Sequence, residues 1–147
     1  MFGAGDSYEV EVYSPRGELR RLVRLDRPNR PVSSGDLTRL REERSSSDRV
    51  QAERVDRLLS SESVPETMPA FENVLASDDG YLLLLQPADA DASTRLWDVF
   101  APGYRYLGTL EVPHHFSPRQ VGRNFVLGTW KDELDIESVR IYGLVRP

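Results

Sequence analysis

The 147-residue chain contains no cysteine. That excludes disulfides, thiolate nucleophiles and Cys-ligated metal, and it leaves the cellular compartment open. It holds one lysine, Lys131, against 18 arginines, and two histidines, His114 and His115. The arginines are scattered among acids rather than gathered on one face, so composition bias accounts for them better than recognition of carboxylate or phosphate. The formal charge is −5. Residues 1–63 are balanced, with twelve acids against twelve arginines, and the whole deficit comes from residues 64–147, with twelve acids against seven bases. Such a balance offers no basic face to a nucleic-acid backbone. Long apolar runs are missing too: the longest, Tyr81 to Leu85, falls far short of the roughly 20 residues that cross a bilayer as a helix. Residues 1–12 carry neither the basic nor the apolar segment of a signal peptide, so none is expected there. No glycine-rich phosphate loop and no Gly-x-Ser-x-Gly elbow occurs.

What is present is period-2 alternation. Tyr8, Val10 and Val12 alternate with Glu9 and Glu11, and Leu19 to Leu25 alternates again after Ser14-Pro15-Arg16-Gly17, which predicts a β-hairpin. Two prolines and a glycine interrupt residues 26–35. Residues 36–62 change character, with Leu37 and Leu40, then Ala52, Val55, Leu58 and Leu59, at helical spacing. Two short helices are expected, over 36–44 and 48–60, hinged at Ser45-Ser46-Ser47 with Ser47 or Asp48 as N-cap. Strand signals return at 71–76, and Asp79-Gly80 marks a tight hairpin. Residues 81–86 follow as a strand whose unbroken apolar run implies burial on both faces. Further strands are expected at 95–100, 104–112, 125–130 and 136–144, with a loop at 113–118.

The chain is also self-similar. Residues 10–25 align with 97–112 at an offset of 87: Val10 meets Trp97, Val12 meets Val99, Tyr13 meets Phe100, Pro15 meets Pro102, Val23 meets Leu110 and Leu25 meets Val112. Val139, Ile141 and Tyr142 begin a third copy. With the helical insertion of about 30 residues removed, the intervals approach the ~40–50 residues of a four-stranded propeller blade. The expected fold is therefore mainly β, a partial β-propeller of two to three four-stranded antiparallel blades with a short two-helix insertion. Residues 8–25 supply the last two strands of one blade, 34–63 the insertion, 68–112 a complete blade, and 113–147 an incomplete final blade. All belong to one partial propeller domain.

The Tyr-x-Pro-x-Gly-x-Leu pattern at 13–19, Asp-Asp-Gly-Tyr-Leu at 78–82, Trp-Asp-Val-Phe-x-Pro at 97–102, Tyr-Leu-Gly-Thr-Leu at 106–110 and Gly-Thr-Trp-Lys-Asp-Glu-Leu-Asp at 128–135 resemble bacterial six-bladed β-propeller proteins of the NHL and TolB-like exported group. The resemblance covers most of the chain and matches the C-terminal portion of such proteins with their charged helical insertion. It implies a periplasmic or exported setting. The chain departs from the pattern in having Gly103-Tyr104 where Asp-Gly is expected, and in lacking the earlier blades and the export signal.

Candidate chemistry is thin. His114-His115 could ligate a metal but has no adjacent carboxylate pattern, and a solvent-facing loop fits better. Asp132, Glu133, Asp135 and Glu137 alternate oxygen ligands as calcium loops do, without the glycine of such a loop, and read as a solvated turn. Trp97-Asp98 matches the dipeptide of WD repeats without its Gly-His partner, and reads as a core tryptophan followed by a surface acid. The strand aromatics read as core. The expected function is a non-enzymatic propeller module that binds a protein or small ligand and needs no cofactor. The helical insertion is either a lid or docking surface, or a tolerated surface excursion. Two alternatives stand beside it: a metal-dependent gluconolactonase-like hydrolase drawing on Asn73, Asp98 and Asn124, and a truncated remnant without activity. Association of copies would complete a ring.

Overall fold

A computed structural model describes residues 7–45, 64–89 and 91–144. The chain divides into two compact units, the first reaching to Ala70 and including Asp89 and Asp91, the second formed by Phe71–Ala88 and the residues from Ala92 on. The fold is mainly β; the described residues form three antiparallel sheets and one helix.

In the first unit β1 (Glu9–Tyr13) pairs with β2 (Leu19–Arg24), as the alternation predicts. Val10 and Val23 face each other across the hairpin and are buried, while Glu9 and Glu11 are half-buried and Arg20, Arg21 and Arg24 are exposed. Helix α1 (Ser34–Ser45) follows. It starts two residues earlier than expected because Ser33 caps it. The Ser33 hydroxyl accepts the Asp36 N–H at 3.2 Å, and the Asp36 carboxylate accepts the Ser33 N–H at 2.9 Å, a reciprocal capping box. The Arg30 guanidinium closes on the same carboxylate as a fork, at 2.8 and 2.9 Å. The Ser33-x-x-Asp36 spacing is legible in the sequence; the Arg30 fork is not. The second helix, expected over 48–60 with its Ser47 or Asp48 cap, lies outside the described residues.

The second unit holds a four-stranded meander, β3 (Asn73–Ala76), β4 (Leu82–Leu85), β5 (Thr94–Phe100) and β6 (Tyr106–Pro113), and a three-stranded one, β7 (Phe116–Val121), β8 (Phe125–Lys131) and β9 (Glu137–Gly143). Every residue of β4 is buried. Leu83 and Leu85 join Tyr81, Trp97, Val112, Phe116, Val121 and Val126 in the core of this unit, and Leu82, Leu84 and Phe100 are buried on the opposite face of the sheet. The loop expected at 113–118 is a correction. Only His114 and His115 turn there, and Phe116 opens β7, because its ring is needed in the core and Pro118 sits where the β7–β8 register shifts. A strand proline is tolerated at such a bulge.

Among the described residues one turn recurs at four places, residues 14–18, 77–81, 101–105 and 132–136. In each, the first N–H donates to the fifth carbonyl and the fourth N–H donates to the first carbonyl, all at 2.7–3.1 Å. The fourth residue is left-handed: Gly17 at φ 79°, Gly80 at 82°, Tyr104 at 68° and Asp135 at 62°. In three of the four the first side chain, Ser14, Ser77 or Asp132, also accepts the fifth N–H. At Gly103-Tyr104, Tyr104 takes the conformation that Gly17 takes 87 residues earlier, while Gly103, also left-handed at φ 89°, stands where the first turn has Arg16.

The Arg30 fork, aided by Ser33 and opposed by burial, holds the Asp36 carboxyl far below the usual carboxylate range. Replacing Asp36 with asparagine is expected to cost about 1.5–3 kcal/mol, the worth of hydrogen bonds to a charged group, read as a lower thermal midpoint at neutral pH. A depressed folded-state value stabilises fully above the unfolded pKa of about 4, and that contribution fades as pH falls toward the folded value. The melting curves of wild type and D36N therefore converge in acid. Curves that stay parallel from neutral pH into strong acid would overturn the assignment.

Candidate functional site

The sheet β7–β9 separates a packed face from an open one. In the pairing of β8 with β9, Val126, Gly128 and Trp130 stand opposite Tyr142, Arg140 and Ser138 on one face. Phe116 meets Tyr142 edge-on at 4.9 Å, and the Arg140 guanidinium lies 3.8 Å over the Trp130 ring, a cation–π contact. Gly128 is required there, since a Cβ would collide with the Ser117 carbonyl and the Phe116 ring. Leu127, Val139 and Ile141 occupy the other face. Val139 is 71% exposed and Ile141 65%, and all seven residues of β9 are exposed. Leu134 and Ile136, in the turn that leads into β9, are exposed as well. Isolated exposed apolar side chains are ordinary on protein surfaces; Val139 and Ile141, neighbours on one face beside Leu127, form a small patch.

A groove of about 470 Å³ opens elsewhere in the same unit, lined by Tyr81, Leu83, Val99, Leu107 and Leu110 with Arg105 among its polar residues. It exists in part because Gly108, at φ 137°, places no side chain over that part of the sheet, and a Cβ there would meet nothing. Its volume falls within the range of small-ligand sites, but the lining offers few convergent polar groups.

The residues singled out from the sequence are placed as follows. His114 and His115 form the β6–β7 turn, their rings perpendicular at 5.7 Å, with His115 5.7 Å from Trp130. Asp132 is occupied by its own turn, its Oδ1 accepting the Leu134 and Ile136 N–H groups, each at 2.9 Å. Asp135 pairs with Lys131 at 2.9 Å and raises the lysine's pKa, and Glu137 opens β9 opposite Lys131. Glu133 is exposed in the same turn. Among the described residues no three His, Asp or Glu side chains converge as a metal site requires. Asn73 and Asp98 lie on opposite faces of their sheet, since Asn73 stands in the row of Leu85 and Trp97 while Asp98 stands in the row of Leu84 and Thr109. Asn124 belongs to the β7–β8 turn of the other sheet, where its carbonyl accepts the Leu144 N–H. The set does not fit a shared metal.

Asp98 corrects an expectation. It is a fully buried acid, 0% exposed, not a surface one. Its Oδ1 accepts Gln86 Nε2 at 3.0 Å, the Tyr106 hydroxyl at 3.2 Å and the Thr109 hydroxyl at 3.4 Å. A buried carboxylate requires such donors, and period 2 alone shows which face a residue takes, not whether that face is covered. The neighbouring Trp97 is core as expected; its Nε1 has no hydrogen-bond acceptor among the described residues. Replacing Asp98 with alanine removes three hydrogen bonds; Tyr106 and Thr109 are exposed and keep a 3.1 Å hydrogen bond to each other, so the half-buried Gln86 amide loses most. At about 0.5–1.5 kcal/mol for each hydrogen bond lost, the expected result is a fall in denaturation midpoint, checked by urea unfolding. A midpoint equal to wild type would show that the network contributes nothing.

Scans against protein-family models, curated proteins and solved structures returned no match to this chain.

Proposed function

We propose that the chain is part of a β-propeller that acts as a non-enzymatic binding module, and that the sheet β7–β9 presents its recognition surface. The blade reading draws support from successive antiparallel sheets of two, four and three strands in simple meander order. The 87-residue repeat coincides with hairpins that share the same five-residue turn. Blade counting would make β3–β6 a complete blade and β7–β9 one lacking its fourth strand.

The observation that carries the functional reading is the uncovered apolar set on β9. A surface of this kind, edged by Glu137 on the same face of the strand, suits a partner that supplies its own apolar side chains. The hydrolase alternative needs ligands gathered around one metal, and Asn73, Asp98 and Asn124 are spread over two faces and two sheets.

The test combines surface and chemistry. An environment-sensitive dye such as anilinonaphthalene sulfonate is expected to fluoresce with the native chain. Most of that signal is expected to vanish in the Val139→Thr, Ile141→Thr double variant, which keeps β-branched residues in the strand. Calcium or zinc is expected to leave the thermal midpoint unchanged and to support no hydrolysis of a sugar lactone. Metal-dependent turnover, or dye binding indifferent to both threonines, would overturn the reading.

A further inference from the structure

We propose that β9 pairs with β9 of a second copy of this chain, antiparallel, about a two-fold axis at the Ile141 pair. This rests on the reading of β7–β9 as a recognition surface and names its occupant.

The backbone provides the first argument. The Leu144 N–H donates to Asn124, and the Ile136 carbonyl accepts from Asp132. Even-numbered residues of β9 therefore direct their backbone groups to β8, and Glu137, Val139, Ile141 and Gly143 direct theirs outward. Among the described residues β8 is the one strand that pairs with β9, so this outer row is a template for a further strand.

The other described edges are protected. Glutamates and arginines line the outward positions of β1 and β2, and β3 has four residues. β6 carries Gly108 and a register shift, and β7 carries Pro118 and another. β9 has no proline, no lysine and no bulge. Its one cation, Arg140, is drawn onto Trp130 on the packed face.

The side chains then select the partner and the register. A two-fold axis normal to the sheet keeps each face on its own side, so opposed residues share parity. An axis at Arg140 sets two guanidinium groups directly opposite, which is destabilising. An axis at Val139 sets Glu137 against the apolar Ile141 of the other copy. An axis at Ile141 sets Ile141 on Ile141, Val139 on Gly143 and Arg140 on Tyr142, with about six backbone hydrogen bonds through the outward groups. The open face then becomes one apolar stripe, and each cation meets an aromatic ring. That self-complementarity is why a second copy fits this edge. The net charge of −5 on each copy opposes association weakly, since charges more than about 8–10 Å apart are largely screened at physiological salt.

The absence of native cysteine makes the test direct. Light scattering on the full chain is expected to give twice 16.7 kDa. Ile141→Cys is expected to oxidise to a covalent dimer, because the two Cα atoms of a hydrogen-bonded pair sit about 5.5 Å apart, within disulfide range. Val139→Cys is expected not to, since its two copies would lie roughly 14 Å apart along the strands. Ile141→Lys is expected to be monomeric with wild-type far-ultraviolet circular dichroism. A wild-type monomer at the highest soluble concentration, cross-linking of V139C as readily as of I141C, or a dimer unaffected by I141K would each overturn the pairing. Dye binding that is lost in the Val139→Thr, Ile141→Thr variant would persist in a monomer, which separates failure of the pairing from failure of the surface reading.

Discussion

Four consecutive leucines that must all leave water govern the second unit. In a strand, neighbours point to opposite faces, so Leu82–Leu85 can be buried together only if both faces of their sheet are covered. Fully burying one such side chain is worth about 1.5–3 kcal/mol, and the run therefore outweighs any single polar contact in the unit. One face is covered by Phe116, Val121 and Val126 from the second sheet of the same unit. The opposite face is buried as well, through Leu82, Leu84 and Phe100, and any polar residue placed there has to be satisfied. Asp98, one position from Trp97, is the result: a carboxylate that accepts three hydrogen bonds from its own sheet.

Register has to be held as firmly as burial, because a slip of one residue would exchange Trp97 for Asp98 in the core. The recurrent five-residue turn supplies that fixity at four places. It needs a residue at positive φ, at little cost for Gly17 and Gly80 and at some cost for Tyr104 and Asp135. Asp135 recovers a surface contact with Lys131, and its turn gains a second constraint from the Asp132 carboxylate. The same turn thus uses different residues in different hairpins, so the 87-residue repeat is easier to see in strand positions than in turn positions.

Much of this is legible in the order of residues alone, and the exceptions have physical causes. Alternation in YEVEVY and the unbroken LLLL run identified strands, because both follow from side-chain direction alone. The β7 strand escapes a reading of residue types because Pro113 precedes it, Pro118 lies within it and FSPRQV carries no alternation signal; what makes it a strand is the burial of Phe116 in the core. Helix α1 is signalled by Leu37 and Leu40, and its start at Ser34 follows from the Ser33 cap. The Arg30 fork joins residues six apart across a loop, a pairing that neither composition nor period encodes. The burial of Asp98 is not legible in the sequence, because alternation gives the face and tertiary packing decides its depth. The histidines and the acidic turn were visible as residue types, but their partners, Trp130, Lys131 and the turn's own amides, depend on the β8–β9 geometry.

That geometry also separates folding from recognition within a single strand. The even positions of β9 serve the fold: Tyr142 packs on Phe116, Arg140 lies over Trp130, and their backbone groups complete the ladder to β8. The odd positions contribute little to it, since Val139 and Ile141 are mostly in water and their amides face away. Changes at 139 and 141 therefore alter the surface without removing core contacts, whereas changes at 140 and 142 alter both. A strand divided in this way can hold apolar residues at its outer edge without burdening its own core. The cost of those residues in water, at about 25 cal/mol per Å² of apolar surface, is the same free energy that a strand or side chain laid against the edge would recover.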